Sequence, residues 1–193
     1  MNELQREKIW DPVTRLWHWV LAFSVAVAWS FGTFMTFDNV RWHFYLGYLI
    51  LGLMAFRLLW GLVGPRPVRW ASLIPRPSAV RDYLRSLKKR QPGGAPGHNP
   101  LGSLSVIVMV GALIGQGFSG LFIEAEDFFE YAPLNGDVSK STVKLMSSWH
   151  HTLSDVILVL VILHVTAIFV HLFWKRENLI TPMITGWKWV RRQ

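Results

Sequence analysis

The chain has 193 residues, 51% of them hydrophobic, with eleven Trp and twelve Phe, a net charge of +8 and no cysteine. Without thiols, thiolate-held iron–sulfur clusters and C-x-x-C-H haem attachment are excluded. The apolar residues come in long uncharged blocks in place of amphipathic stripes, which leaves little room for a soluble domain.

In chain order, Asp11 before Pro12 forms an N-cap and first-turn pair that opens a helix over about 12–37. Its block Leu16–Phe37 holds no Lys, Arg, Asp or Glu. At 22 residues it exceeds a signal-peptide core of about 7–15, and no small-residue cleavage site follows, so it reads as a retained helix. Asp38-Asn39 is a tight turn before a second helix over about 42–63, which carries one charge, Arg57, and is broken by Gly64-Pro65-Arg66-Pro67. Ser78 can cap a short helix over about 78–90 in which Val80, Tyr83, Leu84 and Leu87 share a face. Its basic opposite face suits either a membrane surface or a solvated loop helix. Gln91–Pro100 is an irregular Pro- and Gly-rich connection. A third helix over about 101–123 is uncharged, and a fourth over about 145–174 holds only Asp155.

Four such blocks each span a hydrocarbon core of about 30 Å. The expected fold is an all-α, integral membrane four-helix bundle, one domain over 1–193. The charges are sorted by segment: residues 64–100 hold eight Lys or Arg against Asp82, and both termini are basic. The stretch 124–146 instead holds Glu124, Glu126, Asp127, Glu130 and Asp137 against Lys140 and Lys144. By the positive-inside rule both termini and the middle loop are cytoplasmic. The positive charge therefore encodes topology, and no nucleic-acid partner is expected. Trp10, Trp17, Trp19, Trp42, Trp149, Trp174 and Trp187 fall mostly at the expected lipid interfaces, as an aromatic belt does.

Six of the seven histidines fall at or inside the membrane, where ionisable side chains are functional candidates. His150 and His164 are fourteen residues apart, nearly four turns, so they share a face and sit about 21 Å apart along the axis. One lies near each membrane surface, a spacing that suits two stacked cofactors better than one metal ion. His43 matches the height of His150, and His18 that of His164. A low-spin b-type haem takes an imidazole on each face, so the two couples make two haem sites. His151 competes with His150, but is rotated roughly 140° from His164 where His150 is about 40° away. It shares a face with Asp155, which favours a local His–Asp pair. His171 suits a propionate or lipid headgroup, and His98 reads as a loop histidine.

Arg57 repeats the fourteen-residue interval after His43, at the depth of the inner site. A haem propionate is its natural bidentate partner, the alternative being a cation that snorkels to the interface. Gly47, one turn past His43, leaves room for a flat macrocycle. Gly111, Gly115, Gly117 and Gly120 allow either helix packing or a porphyrin edge against the backbone.

The chain resembles the family of bacterial cytochromes b561 and nickel–iron hydrogenase b-type cytochromes. The resemblance lies in Trp10-Asp11-Pro12, Leu16-Trp17-His18-Trp19, His43 with Leu46-Gly47-Tyr48, and Arg57-Leu58-Leu59-Trp60-Gly61. It continues in Gly64-Pro65-Arg66, Gly97-His98-Asn99-Pro100, His164-Val165, His171, Glu177-Asn178-Leu179 and Met183-Ile184-Thr185-Gly186. It implies a four-helix membrane subunit with two b-type haems held by His18, His43, His150 and His164, passing electrons between the quinone pool and a partner. By the same resemblance Asn99, and less directly His98, face a quinone or quinol near His164. The expected function is thus electron transfer across the membrane to or from a periplasmic redox partner, such as a c-type cytochrome or a hydrogenase-like enzyme. The rival readings are a histidine-lined metal transporter and a structural membrane anchor for a soluble enzyme.

Overall fold

The computed structural model describes residues 4–88, 90 and 97–191. Most of the connection expected over 91–100, and Lys89 in the expected 78–90 helix, lie outside the described residues. The elements run β1 (Leu4–Lys8), α1 (Pro12–Thr33), α2 (Val40–Val63), α3 (Trp70–Leu73), α4 (Pro77–Ser86) and α5 (Pro100–Gly120). They continue with β2 (Glu124–Ala125), β3 (Glu130–Tyr131), α6 (Lys140–Phe173), α7 (Ile180–Thr185) and β4 (Trp187–Arg191). The fold is mostly helical, and α1, α2, α5 and α6 are long and apolar enough to cross a membrane. Helices suit that setting because each backbone polar group finds its partner within the segment. Leu16, Phe23, Leu59, Leu62 and Leu163 stay exposed on them, an apolar surface that lipid can cover.

The helix ends differ from expectation for identifiable reasons. α1 stops at Thr33, not near residue 37, because Asn39 folds back: its Oδ1 accepts from the Thr36 N–H at 2.8 Å and its Nδ2 donates to the Phe34 carbonyl at 2.8 Å. α2 then starts at Val40, not 42. α5 ends at Gly120, not 123, since Leu121 and Ile123 bond instead to Leu134 and Ala132 around the β2–β3 hairpin. α6 begins five residues before the expected 145, with Ser139 accepting from the Thr142 N–H through Oγ and from the Val143 N–H through its carbonyl. α4 starts on Pro77 at its first turn, without a side-chain cap from Ser78, and ends at Ser86.

Residue contacts cluster into two compact units. The first comprises Met1–Trp17, Leu58–Val108 and Leu160–Gln193. Within it β1 pairs antiparallel with β4, from Leu4 opposite Arg191 to Lys8 opposite Trp187, so the two terminal strands share one ladder. Neither strand was expected. Ile9, Trp10, Val68 and Val190 form the core beneath it, with Trp60 and Met183 packed against them. Asp11 caps α1 through the Thr14 N–H, and the Trp60 indole donates to the Thr14 hydroxyl. Lys188 and Glu177 form a buried ion pair at 3.0 Å. The Gly186 carbonyl accepts from the N–H groups of both Ile9 and Trp10, and Gly186 itself has φ +87°.

The second unit comprises His18–Arg57 and Met109–Val159. Here α5 approaches its neighbours through glycine: a Cβ on Gly117 would stand 2.6 Å from Leu51, and one on Gly115 would stand 3.1 Å from Leu153. Gly111 has no such neighbour, so the packing role falls on the later glycines. Arg41 pairs with Glu130 at 2.5 Å and ties the β2–β3 hairpin to α2.

Gly186 carries a sharp expectation. Its left-handed φ suits glycine, and an added Cβ would stand 2.7 Å from the Trp10 carbonyl oxygen. Gly186→Ala is expected to destabilise the detergent-solubilised protein by about 1–3 kcal/mol and to speed proteolysis of the N-terminal strand. Gly186→Asn, which tolerates the backbone conformation better, should recover part of the loss.

Candidate functional site

His43 on α2 and His150 on α6 face each other within the second unit, with ring centroids 6.1 Å apart and planes at 76°. Each ring is oriented from behind by a backbone carbonyl: Nδ1 of His43 donates to Ala28 at 2.9 Å, and Nδ1 of His150 donates to Gln116 at 3.0 Å. A carbonyl can only accept, so each Nδ1 carries the proton and each Nε2 keeps its lone pair.

The carbonyls are reachable because of what lies four residues on. In a helix the carbonyl of residue i points toward residue i+4. Residue i+4 after Ala28 is Gly32, and after Gln116 it is Gly120. A Cβ on Gly32 would stand 2.9 Å from His43 Cε1, and one on Gly120 would stand 3.0 Å from His150 Cε1. Each glycine therefore makes the space in which one imidazole lies. Sequence reasoning noted Gly120 for other reasons and missed Gly32, although the small-residue interval Ala28-x-x-x-Gly32 was there to be read.

The expected haem fits this donor set. An imidazole nitrogen bonds a metal at about 2.0–2.1 Å, and with roughly 1.2 Å from nitrogen to ring centre, two axial rings sit about 6.4 Å apart. The observed 6.1 Å is close to that separation. A flat ring between them needs room across their axis. A cavity of about 840 Å³ walled by α1, α2, α5 and α6 borders both histidines, and a smaller void of about 30 Å³ between α2 and α5 borders them too. Gly47 lines both spaces, and a Cβ there would meet nothing within 4 Å. Among the described residues no group of three or more His, Cys, Asp or Glu is placed to hold a metal ion. Two facing nitrogens suit an iron whose other four ligands come with the macrocycle.

The remaining candidates divide between the units. His18 on α1 is half-buried in the second unit, its ring 5.3 Å from that of Trp19. Arg57 on α2 belongs to the same unit and is 4% exposed. His164 on α6 is half-buried in the first unit. His151 is exposed and also borders the large cavity, as does Asp155. No hydrogen bond or ion pair joins those two among the described residues, so the expected local His–Asp pair is absent there.

In the first unit Asn99 and His171 belong to one network. Asn99 is the N-cap of α5: its Oδ1 accepts from the Gly102 N–H at 2.8 Å, with Pro100 at the first helical position. His171 is buried, and its Nδ1 donates to the Ala167 carbonyl at 2.9 Å. Its Nε2 is then an acceptor, and receives the Tyr83 hydroxyl at 3.0 Å and the Asn99 amide at 3.3 Å. This corrects the expectation that His171 meets a headgroup or propionate. Tyr83 is thereby turned inward from α4, while Lys175 donates to the Ser86 carbonyl at 2.7 Å and holds the same helix. His98 is half-buried with its ring 4.8 Å from that of Trp10, not a free surface histidine.

A family model described as prokaryotic cytochrome b561 matches residues 9–186. The chain is 26% identical to a probable Ni/Fe-hydrogenase B-type cytochrome subunit of Azotobacter vinelandii, over 93% of this chain and 87% of that one. A protein of the same description from Rhizobium leguminosarum bv. viciae is 25% identical, over 95% of this chain and 89% of its own.

The Tyr83 hydroxyl is pushed above its ordinary range, first by burial and then by the nearby Glu177 carboxylate. The unfolded chain gives up this proton near pH 10, before the folded one does. The stability Tyr83 contributes is therefore full below about pH 10 and is lost as pH rises through its folded value. Thermal melts in detergent between pH 8 and 11 should fall more steeply for the parent protein than for Tyr83→Phe. Parallel curves would remove Tyr83 from the balance.

Proposed function

Because the chain belongs to the prokaryotic cytochrome b561 family, we propose that it is a di-haem member, moving electrons across the bacterial inner membrane between the quinone pool and a periplasmic redox partner. It is a multi-pass membrane cytochrome b, and electron transfer with b-type haem is its work. Bound haem supplies a one-electron iron couple.

The observation that carries the reading is the pair of rings of His43 and His150, 6.1 Å apart, each held at Nδ1 by a backbone carbonyl so that its Nε2 keeps a lone pair. Two imidazoles leave an iron no open position, which favours electron transfer over oxygen chemistry. The carbonyl bonds fix tautomer and orientation, as outer-shell partners of metal-bound histidines do. For the second haem, the fourteen-residue interval from His150 to His164 and the matching depth of His18 support those two as axial ligands. Arg57, buried and fourteen residues after His43, supports a propionate contact.

Asn99 and His98 are the proposed quinone contacts. The Asn99 amide, now donating to His171, is the group that can turn to a quinone carbonyl while its Oδ1 keeps capping α5. The relatives' description as hydrogenase subunits supports a hydrogenase-type enzyme as redox partner, with a c-type cytochrome the other candidate. The basic termini and middle loop support a cytoplasmic location for both ends, and the β1–β4 ladder, which joins those ends, agrees with it. The metal-transporter reading draws no support from a site of two facing nitrogens.

Pyridine haemochrome assay and reduced-minus-oxidised spectra of the purified protein should return two b haems per polypeptide. A colourless protein would overturn the reading and favour a structural anchor. His43→Ala and His150→Ala should lose the same haem, and His18→Ala and His164→Ala the other. Gly32→Val should mimic His43→Ala, since the new side chain occupies the imidazole's space. Arg57→Ala should shift the midpoint of the haem lost in His164→Ala more than that of its partner. An equal shift in both would remove the propionate role.

A further inference from the structure

The large cavity is mostly apolar where α1, α2 and α5 wall it, with Val25, Ala28, Ile50 and Leu113 in its lining beside Thr33, His43 and Gln116. Among the described residues these helices bring it no charged side chain. The wall from α6 is different. Lys140, Lys144, Ser147 and His151 line it at intervals of four, three and four residues, which puts them on one helix face. Lys140 and Lys144 are the only Lys or Arg side chains in that lining among the described residues. Their ammonium groups make no ion pair or side-chain hydrogen bond there, although Glu124, Glu126 and Asp127 line the same cavity.

A b-type haem carries two propionate carboxylates, and an apolar pocket cannot solvate them. They must leave the depth of the cavity and end beside cations or water. Along the α6 axis Lys144 lies about 9 Å and Lys140 about 15 Å from His150, on the side toward the start of the helix. Their flexible four-carbon stems can cover part of that span. The three carboxylates of the 124–127 segment, which line the same cavity, repel an anion, whereas the first turn of a 34-residue helix attracts one. Cation, exposure and helix polarity therefore favour the same wall.

We propose that Lys140 and Lys144 hold the propionates of the haem seated between His43 and His150, an inference that rests on the haem reading above. The two lysines thereby set the orientation of that haem and raise its midpoint. A cation near the iron disfavours the oxidised form, which carries one more positive charge than the reduced form.

The test uses holoprotein purified in detergent, with spectroelectrochemical titration of both haems. Lys140→Gln with Lys144→Gln should lower the midpoint of the His43/His150 haem by about 59 mV, a tenfold change in its redox equilibrium, and leave the other haem in place. Lys140→Arg with Lys144→Arg should keep the parent value. Redox-difference infrared spectra, taken on protein whose haem carries ¹³C in the propionate carboxyls, should show the labelled bands of that haem moved in the Gln variant and unmoved in the Arg variant. Loss of that haem from the Gln variant, with retention in the Arg variant, would also support the contact. Two haems present in all forms, with unchanged midpoint and unmoved bands, would overturn it. A parent protein that carries no haem would overturn the underlying reading instead.

Discussion

Two backbone carbonyls, those of Ala28 and Gln116, govern the second unit. In a membrane helix each carbonyl already accepts one intrahelical bond, and its second lone pair is ordinarily shielded by the side chain one turn on. Where that side chain is absent, the lone pair can hold a histidine from another helix. The same device occurs twice, with Gly32 behind His43 and Gly120 behind His150. Its result is that both rings are oriented by backbone groups and not by a charged side chain. A carboxylate behind the imidazole would do the same work, yet it would bring a charge that lipid disfavours.

The two units rely on different forces. The second combines close glycine contacts with a void of about 840 Å³, so its packing is interrupted beside His43 and His150. The first is dense in satisfied polar groups: the buried Lys188–Glu177 pair, the Asp11 cap on α1, and the acceptor His171 with its two donors. Buried Lys188 and Lys175 there both have partners, the Glu177 carboxylate and the Ser86 carbonyl, the condition under which burial is tolerated. Polar anchoring of this kind fits a region that meets headgroups and water, where apolar contact alone would not fix the chain against sliding.

Much of this was legible in the residues. Uncharged blocks located four helices, and helical phase relative to His164 preferred His150 over His151; it is the His150 ring whose centroid lies 6.1 Å from that of His43. What was hidden was hidden for physical reasons. β1 and β4 are short, rich in charge and separated by nearly the whole chain, so no local pattern joins them. The α6 start was missed because Lys140 and Lys144 read as loop, whereas Ser139 caps the helix and admits both. Helix ends at Thr33 and Gly120 depend on Asn39 and on the Leu121–Leu134 bond, where the partner's position decides the outcome. The carbonyls behind the histidines leave no mark in composition at all, although the glycines that uncover them do.

The ladder between β1 and β4 has a consequence for biogenesis. Its first strand is complete at Lys8, but its partner begins only at Trp187. At a synthesis rate of roughly 5–20 residues per second, the early strand waits some ten to forty seconds for its mate. During that wait every membrane-crossing helix must leave the ribosome. Zipping of these two strands therefore follows the synthesis of all four long helices, and it can close only when insertion has delivered both strands to one compartment.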